Sequence, residues 1–184
     1  MNILLAFAPF LAFALVDRAL GSLDGLLAGA VVSLAILAKD TLIGGKSVKV
    51  LEVGTALLFA GLAAWFWIVK PDWSIIDVRL RVDLGLLLIV LVSMLIKRPF
   101  TLQYARETAP QEQWDSPVFV RANYVITAAW AAAFAVLVLA DLLWIMRPDV
   151  PPRVGVWMTV AALIAVVKFT SWYPTRLAGQ PGPA

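Results

Sequence analysis

Lys97-Arg98-Pro99-Phe100-Thr101-Leu102-Gln103-Tyr104-Ala105-Arg106-Glu107, running on through Trp114 and Arg121 to Asn123, is the longest polar interval in the chain. Long apolar runs flank it on both sides. They read as membrane-spanning helices, because a helix or a closed barrel is what satisfies its own backbone inside a bilayer. The interval is then where polar side chains can meet something other than lipid.

Composition points the same way. The 184 residues are 62% apolar with a mean hydropathy of +0.89, whereas ordinary globular domains are roughly 45–50% apolar. At about 20 residues per span, the length fits one integral-membrane bundle over residues 1–178, with a flexible Gly-Pro tail at 179–184. The expected fold is an all-α polytopic bundle of about six transmembrane helices, five being possible, with a short interfacial helix in the central loop.

Cysteine and histidine are absent, which removes thiol nucleophiles, disulfides, imidazole or thiolate metal sites and a general base that titrates near neutrality. The twelve acids are scattered without metal-ligand spacing. Gly44-Gly45-Lys46-Ser47 resembles the end of a phosphate-binding loop but lacks the earlier glycine and the preceding strand. No catalytic, cofactor or metal site is therefore expected, and the chain reads as a non-enzyme. Its net charge of +3 is spread through the loops, as helix-flanking charge is, so nucleic acid is not an expected partner.

Working outward from the polar interval, spans are expected at 3 to 16 or 20, 22–37, 51–69, 75–96, 124–145 and 154–173. Met1-Asn2 carries no basic residue before the first apolar run, which reads as a retained helix kinked at Pro9 and stopped at the interface by Asp17-Arg18. In the second span Gly21, Gly25, Gly29 and Ser33 recur every fourth residue, lining a face on which another backbone can approach closely. Ala128 and Ala132, with Ala135, make a second such face, which Ala129, Ala131 and Ala133 broaden. Either could serve bundle packing or a homo-oligomer.

The charges are expected at helix ends. Glu52 would sit at a helix N-terminus within reach of water, and Trp65 and Trp67 in an interfacial belt. Asp77 with Arg81, and Arg79 with Asp83, are spaced to pair along one helix. Asp141 would snorkel or pair with Arg147, and Lys168 would reach the interface. With six spans, nine basic residues fall on the side of the polar interval and six on the other. The positive-inside rule then places both termini and residues 97–123 in the cytoplasm.

Within the interval, Lys97 and Arg98 would favour anionic lipid by about 1 kcal/mol per charge. Phe100, Leu102, Tyr104, Trp114 and Phe119 could dip into the headgroup layer. Tyr104, Arg106 and Glu107 could form the centre of a partner-docking surface, since aromatic and Arg side chains favour protein contacts.

The chain resembles the intracellular septation protein A family of bacterial inner-membrane proteins. The likeness rests on Pro9 with Asp17 and Arg18, on Lys97-Arg98-Pro99 closing a central helix, and on Asn123 and Trp130 entering the next. The string from Pro99 to Glu107 resembles an uncharacterised multi-pass subgroup. The resemblance implies an inner-membrane protein tied to cell division or the cell envelope, acting through contacts with envelope-synthesis or division membrane proteins. A non-enzymatic scaffold is thus the first expectation. The alternative is a small permease or channel for an ion or small solute, in which Asp17, Arg18, Asp77, Arg79, Arg81, Asp83 or Asp141 would line a path.

Overall fold

Gly21 turns the chain back on itself in a single residue. Its φ of +109° is open to glycine and strained for other residues, and it joins α1 (Ala8–Leu20) to α2 (Ser22–Ala38) as a tight antiparallel hairpin. The computed structural model describes residues 3–44 and 47–178, with backbone alone at Ile3, Leu4, Ile43 and Ala178. Met1-Asn2, Gly45-Lys46 and the predicted tail at 179–184 lie outside the described residues.

The remaining helices are α3 (Val50–Val69), α4 (Ile75–Leu95), the short α5 (Phe100–Ala105), α6 (Pro117–Met146) and α7 (Pro152–Ala178). Among the described residues there is no strand. Four stretches, Ser22–Leu42, Val50–Val69, Pro117–Met146 and Pro152–Leu177, are long and apolar enough to cross a membrane. The other two expected spans differ from these for visible reasons. α1 has 13 residues after a 3-10 turn at Ile3–Phe7, and α4 carries Asp77, Arg79, Arg81 and Asp83 in its first half.

Local chemistry accounts for several boundaries. Pro9 lies in the first turn of α1, where its missing N–H would have had no helical partner; the expected mid-helix kink is replaced by a change from 3-10 to α geometry. α4 begins at Ile75 because Ser74 and Asp77 cap each other: the Ser74 amide donates to Asp77 Oδ2 at 3.0 Å, and the Asp77 amide to Ser74 Oγ at 3.3 Å. α6 starts seven residues before the expected span, at Pro117.

The core has two parts. Trp130 of α6 centres the larger: it stacks on Phe7 at 4.8 Å and 18°, and meets the edge of Phe100 at 6.3 Å. Leu51, Leu86, Val90, Tyr104, Ile126, Phe134 and Val166 complete it. The smaller joins Phe13, Leu26, Ala30, Phe59, Ala63, Val78 and Val82, and Phe10 packs against both. α7 runs antiparallel to α6, with Gly155 beside Ala140 and Trp130 Nε1 donating to Thr170 Oγ1 at 3.0 Å.

Gly25, Gly29 and Ser33 are buried, and Gly21 is half-buried at the hairpin. The ring of Phe59 lies on Gly29, and Asp17 lies on Gly25. The alanine face of α6 packs inside the bundle only in part. Ala128 and Ala132 are exposed, while Ala131, Ala133 and Ala140 are buried. The large side chains of Ile126, Trp130, Phe134 and Leu137 set the inward stripe at helical spacing, and the smallest residues do not decide it.

A Cβ at Gly25 would stand 2.7–2.9 Å from Asp17 Cβ, Cα and N, whereas one at Gly61 would meet nothing within 4 Å. Gly25→Ala is expected to destabilise the fold by about 1–3 kcal/mol, and Gly61→Ala to be neutral or stabilising by up to about 1 kcal/mol. Thermal unfolding midpoints in detergent check this; equal shifts would contradict the close hairpin contact.

Candidate functional site

Two groups of buried charge lie at opposite ends of the helices. The first is built around Lys49, one residue before α3. Its side chain is 1% exposed, and its ammonium lies 3.1 Å from Asp40 Oδ2, 3.0 Å from Glu52 Oε1 and 2.8 Å from Glu107 Oε1. An ammonium has three N–H donors. The acceptors come from the π-type turn that ends α2 (Lys39–Ile43), from the first turn of α3, and from the segment after α5.

α5 closes this group from the side. Phe100, Thr101, Leu102 and Tyr104 are all buried. Tyr104 donates its hydroxyl to Glu52 Oε1 at 3.3 Å, and Lys49 Nζ lies 5.1 Å from its ring centre. Gln103 accepts from the Val50 amide at 2.8 Å, meeting a donor that the start of α3 leaves open, and donates to the Arg98 carbonyl at 2.7 Å. The Phe100 amide donates to Ser93 Oγ at 3.2 Å, and Thr101 donates to the Asn123 carbonyl at 2.8 Å. The segment expected at the headgroup layer is a wedge inside the bundle.

Burial works against the charge on Lys49, but its bonds to Glu107, Glu52 and Asp40 outweigh it and hold the ammonium above the ordinary lysine range. Burial likewise opposes the charge on Glu107, and Lys49 overrides it, keeping that carboxyl below the usual range. Burial first and Glu52 second push the Tyr104 hydroxyl above the ordinary tyrosine range, so it stays a donor. Glu52 Oε2 and Thr55 Oγ1, one turn apart on α3, find no hydrogen-bond partner among the described residues.

The second group lies between α4 and α6. Arg79 Nη2 is 3.3 Å from Asp141 Oδ1, and the Asp141 side chain is 2% exposed. Arg79 therefore pairs across helices and not with Asp83, and Asp141 does not reach Arg147, which pairs with Asp149 at 2.8 Å. Asp83 faces Asp141, the two carboxyl groups being within hydrogen-bonding contact. Asp77 and Arg81 pair at 3.9 Å, as their spacing predicts.

The predicted contact residues separate. Lys97 and Arg98 are exposed, Tyr104 is 4% exposed, and Glu107 is tied to Lys49. Arg106 donates to the Trp114 carbonyl and to Asp115, while Trp114 Nε1 donates to the Ala109 carbonyl. Glu52 and Asp17 are buried at 5% exposure, Glu52 away from the water it was expected to reach and Asp17 holding the Ser22 hydroxyl at 2.8 Å. Trp65, Trp67 and Lys168 are exposed. Lys49 is the central functional residue that the sequence analysis does not single out. Its i,i+3 spacing to Glu52 was readable there, but nothing marked Asp40 and Glu107 as the other partners. No family model, curated protein or solved structure matches the chain.

Replacing Lys49 by Met leaves Glu52 buried without its ammonium and is expected to cost about 3–5 kcal/mol; Glu107→Gln, at a partly exposed position, should cost less. In the wild type, the depressed Glu107 contributes above the ordinary glutamate value and loses its contribution as pH falls through its lower folded value. The raised Lys49 contributes fully below the ordinary lysine value and loses its share as pH rises through its higher one. Stability from this group is thus full between about pH 5 and 10 and declines outside that window, as denaturant midpoints across pH will check.

Proposed function

We propose that this chain is a multi-pass protein of the bacterial inner membrane, crossing it six times with both termini and residues 97–123 in the cytoplasm. In this reading it acts without catalysis, as an envelope or septation-related scaffold, through protein or lipid contacts. Its lengths support six crossings. The 3-10 turn and α1 together reach about 30 Å, and α4 about 32 Å, matching a hydrocarbon core of about 30 Å. Asp77 and Arg81 of α4 pair on its own face and Arg79 pairs with α6, which lowers the cost of carrying these three charges into a bilayer.

The observation behind the scaffold role is the clamped wedge. Because α5 is buried and Glu107 is held by Lys49, the exposed Lys97, Arg98, Gln111, Glu112, Gln113 and Arg121 stand in fixed places. A surface organised before binding loses less entropy on docking. The buried Asp141, with the half-buried Arg79 and Asp83 beside it, favours a second reading, a small permease, because charge inside a helix bundle commonly marks an ion path.

The chain lacks cysteine, so single cysteines report topology directly. One at Glu112 should react with an impermeant thiol reagent from the cytoplasmic side, and one at Pro151 from the opposite side; labelling of both from one side would sink the six-span topology. In-cell photo-crosslinking from Gln111 and Arg98 should capture a division or envelope-synthesis protein, with Tyr104 as a silent buried control. Capture of lipid alone would remove the protein-docking part of this reading, and equal capture from Tyr104 would remove the scaffold reading as a whole.

A further inference from the structure

Arg79 and Asp83 are four residues apart on α4 and share one helix face, which points at Asp141 of α6. Arg79 holds Asp141 Oδ1 at 3.3 Å. The other oxygen, Asp141 Oδ2, is buried and has no donor among the described residues. Besides Arg79, the group that acts on the Asp141 carboxyl is the carboxyl of Asp83.

We propose that Asp83 and Asp141 form a proton-binding site, one proton being held between the two carboxyl groups with Arg79 as the resident counter-charge.

A single proton resolves both anomalies at once. Two ionised carboxylates facing each other away from water repel, and neither can donate to the other. With one proton between them, the contact becomes a charge-assisted O–H···O bond, Asp141 Oδ2 gains its partner, and the trio of acid, carboxylate and guanidinium is neutral. On release of the proton both carboxylates are ionised, and the five N–H donors of Arg79 can serve both. Proton exchange is therefore coupled to movement of the Arg79 guanidinium, whose side chain is 35% exposed and forms the way in.

The charged groups that act on the pair are Arg79 and the two carboxyls themselves. Asp77 and Arg81 pair with each other on α4, and Arg147 with Asp149 beyond α6. Lys70 at the end of α3 and Arg153 at the start of α7 are exposed. The inference rests on how α4 packs against α6, so it is independent of both the scaffold and the permease readings, and its failure would leave each standing.

Infrared spectroscopy of the full chain in phosphatidylcholine vesicles at pH 6 tests it, since ordinary aspartates, with pKa about 3.9, are ionised there. The wild type should show a protonated-carboxyl C=O band that shifts in deuterium oxide and disappears as pH is raised, with roughly one proton released per chain. Asp83→Asn and Asp141→Asn should each lose the band, because the remaining carboxylate then pairs with Arg79. Absence of the band in the wild type, a reading that needs no variant to fold, would overturn the site. So would a band that survives in both variants at unchanged helix content.

Discussion

Once out of water, the Lys49 ammonium needs three acceptors, and it draws them from three separate parts of the chain. This requirement holds the end of α2, the start of α3 and the segment after α5 at one point. It also explains the burial of α5, since Glu107 reaches Lys49 only if the residues before it turn inward. The inward face is suited to that position. Phe100 and Tyr104 are apolar enough to join the core around Trp130, and the polar atoms of Thr101 and Gln103 find acceptors and donors there. Ionic pairing and apolar packing therefore select the same placement of the wedge, so neither works against the other.

The polar interior contrasts with the outer surface. Large apolar side chains such as Val31, Leu57, Leu88, Leu139 and Trp157 are exposed on the long helices. Where lipid surrounds helices, apolar surface offers no net drive to associate, and association depends on close packing and interhelical hydrogen bonds. The chain uses both. Gly25 and Gly29 bring α1 and α3 against α2, while Thr101 with Thr127, and Trp130 with Thr170, tie α5 and α7 to α6.

Helix number and approximate ends were legible in the sequence because apolar runs and Gly/Pro boundaries are local signals. The glycine face of α2 was legible for the same reason: four-residue spacing of the smallest side chains has one geometric consequence. Which alanines of α6 face inward was less legible, because alanine suits an exposed position as well as a buried one, and the neighbouring Trp130 and Phe134 carry far more contact area. The wedge is hidden in the sequence by a related ambiguity. Aromatic and basic residues in one segment fit a headgroup layer, and they also fit a buried α5 whose exposed flanks carry the basic residues. Choosing between these needs the partners of Glu107 and Tyr104, which lie more than fifty residues away at Lys49 and Glu52.

Arg79 shows where a local rule yields to tertiary packing. Spacing along α4 offers it Asp83, and packing against α6 offers it Asp141. A pairing along one helix contributes about 0.2–0.5 kcal/mol in water, whereas a buried carboxylate deprived of its counter-charge costs about 3–5 kcal/mol. Asp141, with its side chain 2% exposed, is the more demanding partner, and the guanidinium goes to it. Asp83 is then left beside a carboxylate that already has its cation. Whatever proton or cation Asp83 accepts follows from that competition, which is decided by the depth at which α6 places Asp141 and not by the sequence of α4 alone.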